Sequence, residues 1–89
     1  MRRAFVAVVL LACAGLARAA VEINQANRAQ LEQLRGIGPP LADAILVERE
    51  KGQFKNWADL IARVRGIREA KARKLSEAGL TVGGEPYAK

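Results

Sequence analysis

The chain has 89 residues, half of them apolar, and a formal net charge of +6. That length holds one small domain, and charges that are mixed rather than blocked fit a folded domain better than a disordered basic tail. With no histidine and one cysteine, Cys13, the chain lacks the usual general base and has neither an intrachain disulfide nor a Cys/His zinc site.

Met1-Arg2-Arg3 opens the chain with positive charge, and residues 4–17 follow without any. As a helix those residues rise only about 21 Å, short of the ~30 Å of a bilayer's hydrocarbon core. Ala17-Arg18-Ala19 fits the small-x-small rule for signal peptidase. Residues 1–19 are therefore expected to be a cleaved signal peptide, which puts the mature chain in the periplasm with no membrane span. Three alternatives stand beside this. Leu10-Leu11-Ala12-Cys13 resembles a lipobox that would anchor a lipoprotein at Cys13, although Leu11 is bulkier than usual there. Arg2-Arg3-Ala4-Phe5 echoes a twin-arginine signal, and an uncleaved anchor would need a longer apolar run. Cleavage removes Arg2, Arg3 and Arg18, so 15 basic residues become 12 against 9 acidic ones, and the formal charge falls to +3.

Val21-Glu22-Ile23-Asn24 reads as an extended lead-in. Asn27 is a candidate N-cap, with Gln30 completing a capping box. The first helix is expected over 28–34, with Leu31 and Leu34 on one face, and Gly36 ends it. Pro39 and Pro40 lack amide hydrogens, which suits a helix's first turn. The second helix is expected over 40–51, with Leu41, Ala42, Ile45 and Leu46 inward and Asp43, Glu48 and Glu50 in water. Gly52 stops it. Phe54 plugs the core, and Asn56 caps a third helix over 57–64, with Asp59 at its third position and Leu60, Ile61 and Val64 inward. After Gly66 a fourth helix over 69–78 buries Ala72 and Leu75 and ends at Gly79. Leu80-Thr81-Val82 folds back over the core, and 83–89 reads as a flexible tail.

Two stretches organise this pattern. Leu34-Arg35-Gly36-Ile37-Gly38 and Val64-Arg65-Gly66-Ile67-Arg68 are copies at an offset of 30, and Ala42/Ala72 and Ile45/Leu75 keep the same offset. Each half is helix, hairpin, helix. Neither buries its apolar face alone, so the two are expected to pair about a pseudo-twofold axis as a compact all-α domain of four to five short helices over 20–82. Ile37 and Ile67 are expected to point inward and lock the turns.

A Gly-x-Gly turn permits φ > 0 and close approach of a partner, and the next helix adds free amides and a positive dipole end. Such a turn binds phosphate through main chain, without regard to base sequence. Arg35 and Arg65 flank the two turns, and Arg68, Lys71 and Lys74 crowd the second, with Lys71 and Lys74 on one helix face. The candidate site is thus Arg35, Gly36, Ile37, Gly38, Arg65, Gly66, Ile67, Arg68, Lys71 and Lys74. The second turn, with arginine in place of its second glycine, is expected to rest more on Arg68 and Lys71 and less on backbone. Arg49, Lys51, Lys55 and Lys89 read as solvated surface, and Trp57 and Phe54 as core or cap residues. The scattered carboxylates form no catalytic pair, and no nucleophile, metal site or cofactor site is evident, so no enzymatic activity is expected.

Leu34-x-Gly36-Ile37-Gly38-x-x-x-Ala42 resembles the helix-hairpin-helix DNA-binding motif. From Ile23-Asn24 to Val82 the chain is similar to the paired helix-hairpin-helix domain of ComEA-type competence proteins. Val47-Glu48-Arg49-Glu50 followed by Gly52-x-Phe54, the pair Asp59-Leu60, and Val64-x-Gly66-Ile67 carry the likeness further. The resemblance implies sequence-independent binding of double-stranded DNA by its phosphates across the minor groove, in DNA uptake, alongside uptake-machinery proteins. The chain is most similar to the short, secreted form. A periplasmic protein–protein interaction module using the same hairpins is the alternative reading, which the low mature charge keeps open. A DNA lyase or glycosylase is disfavoured, because the domain leaves no room for a catalytic pocket.

Overall fold

A computed structural model describes residues 20–88. The expected leader 1–19 and Lys89 lie outside the described residues. Six elements follow in order: β1 Val21–Glu22, α1 Arg28–Glu32, α2 Pro39–Lys51, α3 Trp57–Arg63, α4 Glu69–Glu77 and β2 Leu80–Thr81. The domain is all-α apart from the two short strands, and each helix lies within two residues of its expected bounds.

Local chemistry explains the helix starts. The Asn27 side chain accepts from Gln30 N–H and the Gln30 side chain accepts from Asn27 N–H, both at 2.8 Å, which completes the capping box of α1. The Asn56 side chain accepts from Asp59 N–H at 2.8 Å and caps α3. The Asp59 carboxylate reaches back one residue further than a capping box requires, to Lys55 N–H at 2.9 Å.

The core takes matching residues from both halves. Leu34, Ile37, Ala42 and Ile45 are buried in the first, and Val64, Ile67, Ala72 and Leu75 in the second. The repeat slips in the leading helices. Leu31 is fully buried, but its counterpart Ile61 is only half-buried, and Leu60 takes the interior place. Leu41 and Leu46 likewise sit at the edge of the core rather than inside it. Phe54 and Trp57 are both buried, so neither is a platform for bases.

The strands close the domain. β1 runs parallel to β2 with Val21 opposite Leu80 and Glu22 opposite Thr81. Val21 N–H donates to Gly79 O at 2.8 Å, and Ile23 N–H to Thr81 O at 3.0 Å. The sequence read as an extended lead-in at 21–24 and a segment folding back over the core at 80–82, but it did not show their pairing, because the partners lie far apart in the chain. The Glu22 carboxylate then accepts from Thr81 Oγ1 at 2.8 Å, Gly83 N–H at 2.9 Å and Gly84 N–H at 2.7 Å. Partial burial pushes this carboxyl up, yet the bonds from Gly84, Thr81, Gly83 and Asn24 outweigh it and hold it below its ordinary value of 4.5.

The segment read as a flexible tail carries contacts of its own. Trp57 Nε1 donates to Glu85 O at 2.8 Å, Tyr87 N–H donates to Ser76 Oγ at 2.9 Å, and the Trp57 and Tyr87 rings lie 5.3 Å apart. Those bonds satisfy backbone groups that a bare tail would leave to water.

Two arginines are structural. Arg49, read as solvated surface, donates to Ile23 O at 2.9 Å and Ala26 O at 2.7 Å and ties the lead-in to α2. Arg63 donates to Glu48 O, to Gly52 O at 2.8 Å and to Gln53 O at 3.1 Å, and pairs with the Glu48 and Asp59 carboxylates. Its guanidinium also stacks 4.4 Å from the Phe54 ring centroid. Asn24 completes the set, donating to Phe54 O and accepting from Phe54 N–H at 2.8 Å. Together these bonds hold the link between α2 and α3, and so the two halves, in place.

Candidate nucleic-acid interface

Both hairpins are built alike. Ile37 N–H donates to Leu34 O at 3.1 Å, and Ile67 N–H to Val64 O at 3.3 Å. Inside each closed turn the glycine carries the positive dihedral: φ is +102° at Gly36 and +96° at Gly66. Glycine takes that conformation without the Cβ clash that other residues suffer. Ile37 and Ile67 follow, 4% and 1% exposed. Their side chains point into the core and lock the turns.

The next position corrects the reading of Arg68. Gly38 has φ −94° and ψ −178°, and Arg68 has φ −115° and ψ −175°. Both are extended N-cap residues that any side chain tolerates. The second glycine is not required for φ > 0, so arginine leaves the hairpin's path unchanged. Only the room a side chain takes differs between the turns.

Backbone donors are distributed against expectation. Among the described residues, the amides of Gly38 and Leu41 lack an acceptor at the first hairpin, and Pro39 and Pro40 between them carry no N–H to add. At the second hairpin the amides of Arg68, Glu69, Ala70 and Lys71 are all without one. The second turn therefore presents more bare backbone than the first. Glu69 stands at its helix start, where it complements the dipole and competes with an incoming anion.

The basic side chains fall into two groups. Arg28 pairs with Glu32 and Asp43, Lys51 with Glu48, and Arg63 with Glu48 and Asp59. The Arg28 guanidinium is held further above its ordinary range by Asp43 and then Glu32. The Lys51 ammonium, opposed by some burial and helped by Arg63, holds the Glu48 carboxyl below its usual value. Arg35, Arg65, Arg68, Lys71 and Lys74 make no salt bridge among the described residues. These five cations beside the turns are therefore open to an anionic partner; Lys55, which lines none of the grooves at the turns, also makes no salt bridge among the described residues.

Where those cations sit differs from the sequence reading. Arg35 and Gly36 share one groove with Lys71, Lys74 and Leu75. Arg65, Gly66 and Arg68 share another with Glu69 and Ala70. Lys71 and Lys74, expected at the second hairpin, line the groove of the first. A further open groove joins both turns and is lined by Gly36, Gly38, Leu41, Arg65, Gly66 and Lys71. That groove brings Gly36, Gly38, Arg65, Gly66 and Lys71 onto one face, and Lys71 and Lys74 cross from the second half to the first turn. The missed signal was the pairing of the halves itself, which carries the start of each half's second helix onto the opposite turn.

Two glycine-turned hairpins, each opening into a helix and each lying against the second helix of the other half, define a helix-hairpin-helix protein. The family description "helix-hairpin-helix motif" matches residues 17–78, and the chain belongs to that family, whose motif is a nucleic-acid-binding one. No curated protein and no solved structure matches it. Among the described residues no helix is long and apolar enough to cross a membrane.

Proposed function

We propose that the protein is an exported, non-catalytic module of the ComEA type, which holds double-stranded DNA by its phosphate backbone, without sequence preference, during DNA uptake. One observation carries this reading: both hairpins face a common side and present free amides and unpaired cations. Phosphates offer acceptors and negative charge at every step of a duplex, so such a face grips any sequence alike. The apolar stretch 4–17 and Ala17-Arg18-Ala19 support export to the periplasm.

The test is fluorescence anisotropy against unrelated duplexes and single strands across a salt series. Neutralising about five phosphates gives a log–log slope near −4.5 on duplex DNA. Equal affinity for unrelated duplexes and a steep slope are expected. A strong preference for one sequence, or no binding at physiological salt, would reject the reading. In the second case, capture of an envelope protein that survives nuclease would favour a protein-docking role.

A further inference from the structure

The repeat equates Leu41 with Lys71, each the third residue of its half's second helix. In the fold both reach across to the opposite turn. A methyl group added at Gly36 would lie 3.7 Å from both Cε and Nζ of Lys71, and one added at Gly66 would lie 3.8 Å from Leu41 Cδ1. The cross-packing is symmetric, but its chemistry is not. The first turn has an ammonium against its positive-φ glycine, whereas the second has an isobutyl group.

We propose that Lys71 is a cation of the first hairpin's phosphate site, set against its positive-φ glycine from the other half of the domain, and that Leu41 leaves the second hairpin without its equivalent. This rests on the duplex-backbone reading above. The first hairpin has no amide donors at Pro39 and Pro40, and Lys71 lines the same open groove as Gly36, Gly38 and Pro40, where its ammonium can stand in for them. The second keeps its amides at Arg68, Glu69, Ala70 and Lys71, with the guanidiniums of Arg65 and Arg68 beside them. Lys71 therefore belongs to both sites: its amide opens α4 at the second hairpin, and its ammonium lies at the first. The alternative role for Lys71 is to cover apolar surface with its stem, as Leu75 Cδ2 also lies 3.5 Å from the Gly36 methyl position.

Lys71→Met keeps the stem and removes the charge, so it separates these roles. The salt slope on duplex DNA should become shallower by about 0.9, and affinity at 0.1 M salt should fall roughly eightfold. Leu41→Lys should steepen the slope by about as much. In double-mutant cycles Lys71→Met should couple to Gly38→Ala, at the first hairpin, and add independently to Arg68→Ala, at the second. Circular dichroism melts of each variant establish that it is folded at the assay temperature. Unchanged affinity and slope in Lys71→Met, with wild type binding normally, would overturn the inference and leave the duplex reading standing. Coupling to Arg68→Ala instead would overturn the assignment to the first hairpin. Failure of wild type to bind duplex DNA at all would remove the reading on which both depend.

Discussion

Replacing the two glycines of the first hairpin should separate folding from binding. Gly36 holds φ +102° inside a closed turn, and a side chain there costs about 1–3 kcal/mol of backbone strain. Contact adds little, since the nearest atom to a new methyl is Leu75 Cδ2 at an ordinary 3.5 Å. For a domain of this size each kcal/mol moves Tm by about 4–8 °C, so Gly36→Ala should melt roughly 4–24 °C lower. Gly38 is already extended, at φ −94°, and its nearest neighbour would be Pro40 Cδ at 3.8 Å. Alanine is a poorer N-cap than glycine by up to about 1 kcal/mol. The reduced freedom of the unfolded chain returns about 0.4–1 kcal/mol. Gly38→Ala should therefore melt near wild type. It does, however, place a methyl in the groove that joins the turns. If a duplex backbone approaches the Gly38 amide there, losing that charge-assisted bond weakens binding by about tenfold or more. Thermal melts and anisotropy on the same samples read both effects. A wild-type Tm in Gly36→Ala would refute the positive-φ argument, and wild-type affinity in Gly38→Ala would refute the close approach.

Arg68→Gly recreates the Gly-x-Gly pattern, but position 68 is extended already. The change should gain nothing and should lose one cation, with a salt slope shallower by about 0.9; tighter binding would contradict this. Arg63→Ala breaks its bonds to the link between α2 and α3 and its stacking on Phe54, and should cost about 2–4 kcal/mol in urea unfolding. Measured where the variant is still folded, its salt slope should match wild type, because Arg63 is not on the hairpin face. Glu22 has a lowered pKa, so its stabilisation is present above the ordinary 4.5 and is lost as pH falls through the folded-state value. Glu22→Gln should be less stable than wild type at pH 7, and the gap should narrow as pH drops below 4.5; a gap independent of pH would exclude the carboxylate.

Much of the fold was legible because its signals are local. Asn27 with Gln30, and Asn56 with the Asp59 amide, are contacts within one helical turn. The copies Leu34/Val64 and Ile37/Ile67 announced two like halves, and both pairs are buried. Other features had no short-range signal. The pairing of Val21–Glu22 with Leu80–Thr81, the grip of Arg49 on Ile23 and Ala26, and the seating of Trp57 on Tyr87 join residues many turns apart. Arg49 and Lys51 are near neighbours in one basic helix end, and only packing makes the first structural and the second a surface pair.

By itself the sequence determined the helical segments, their starts to within a residue, the two glycine turns and the inward Ile37 and Ile67, since these depend on residues within about four positions of each other. Tertiary structure alone decided which cation lies at which turn. Lys71 follows Gly66 in the chain, yet its ammonium lies at Gly36, 35 positions back. The physical reason is the pairing of the halves, which carries the first turn of each second helix across to the opposite hairpin.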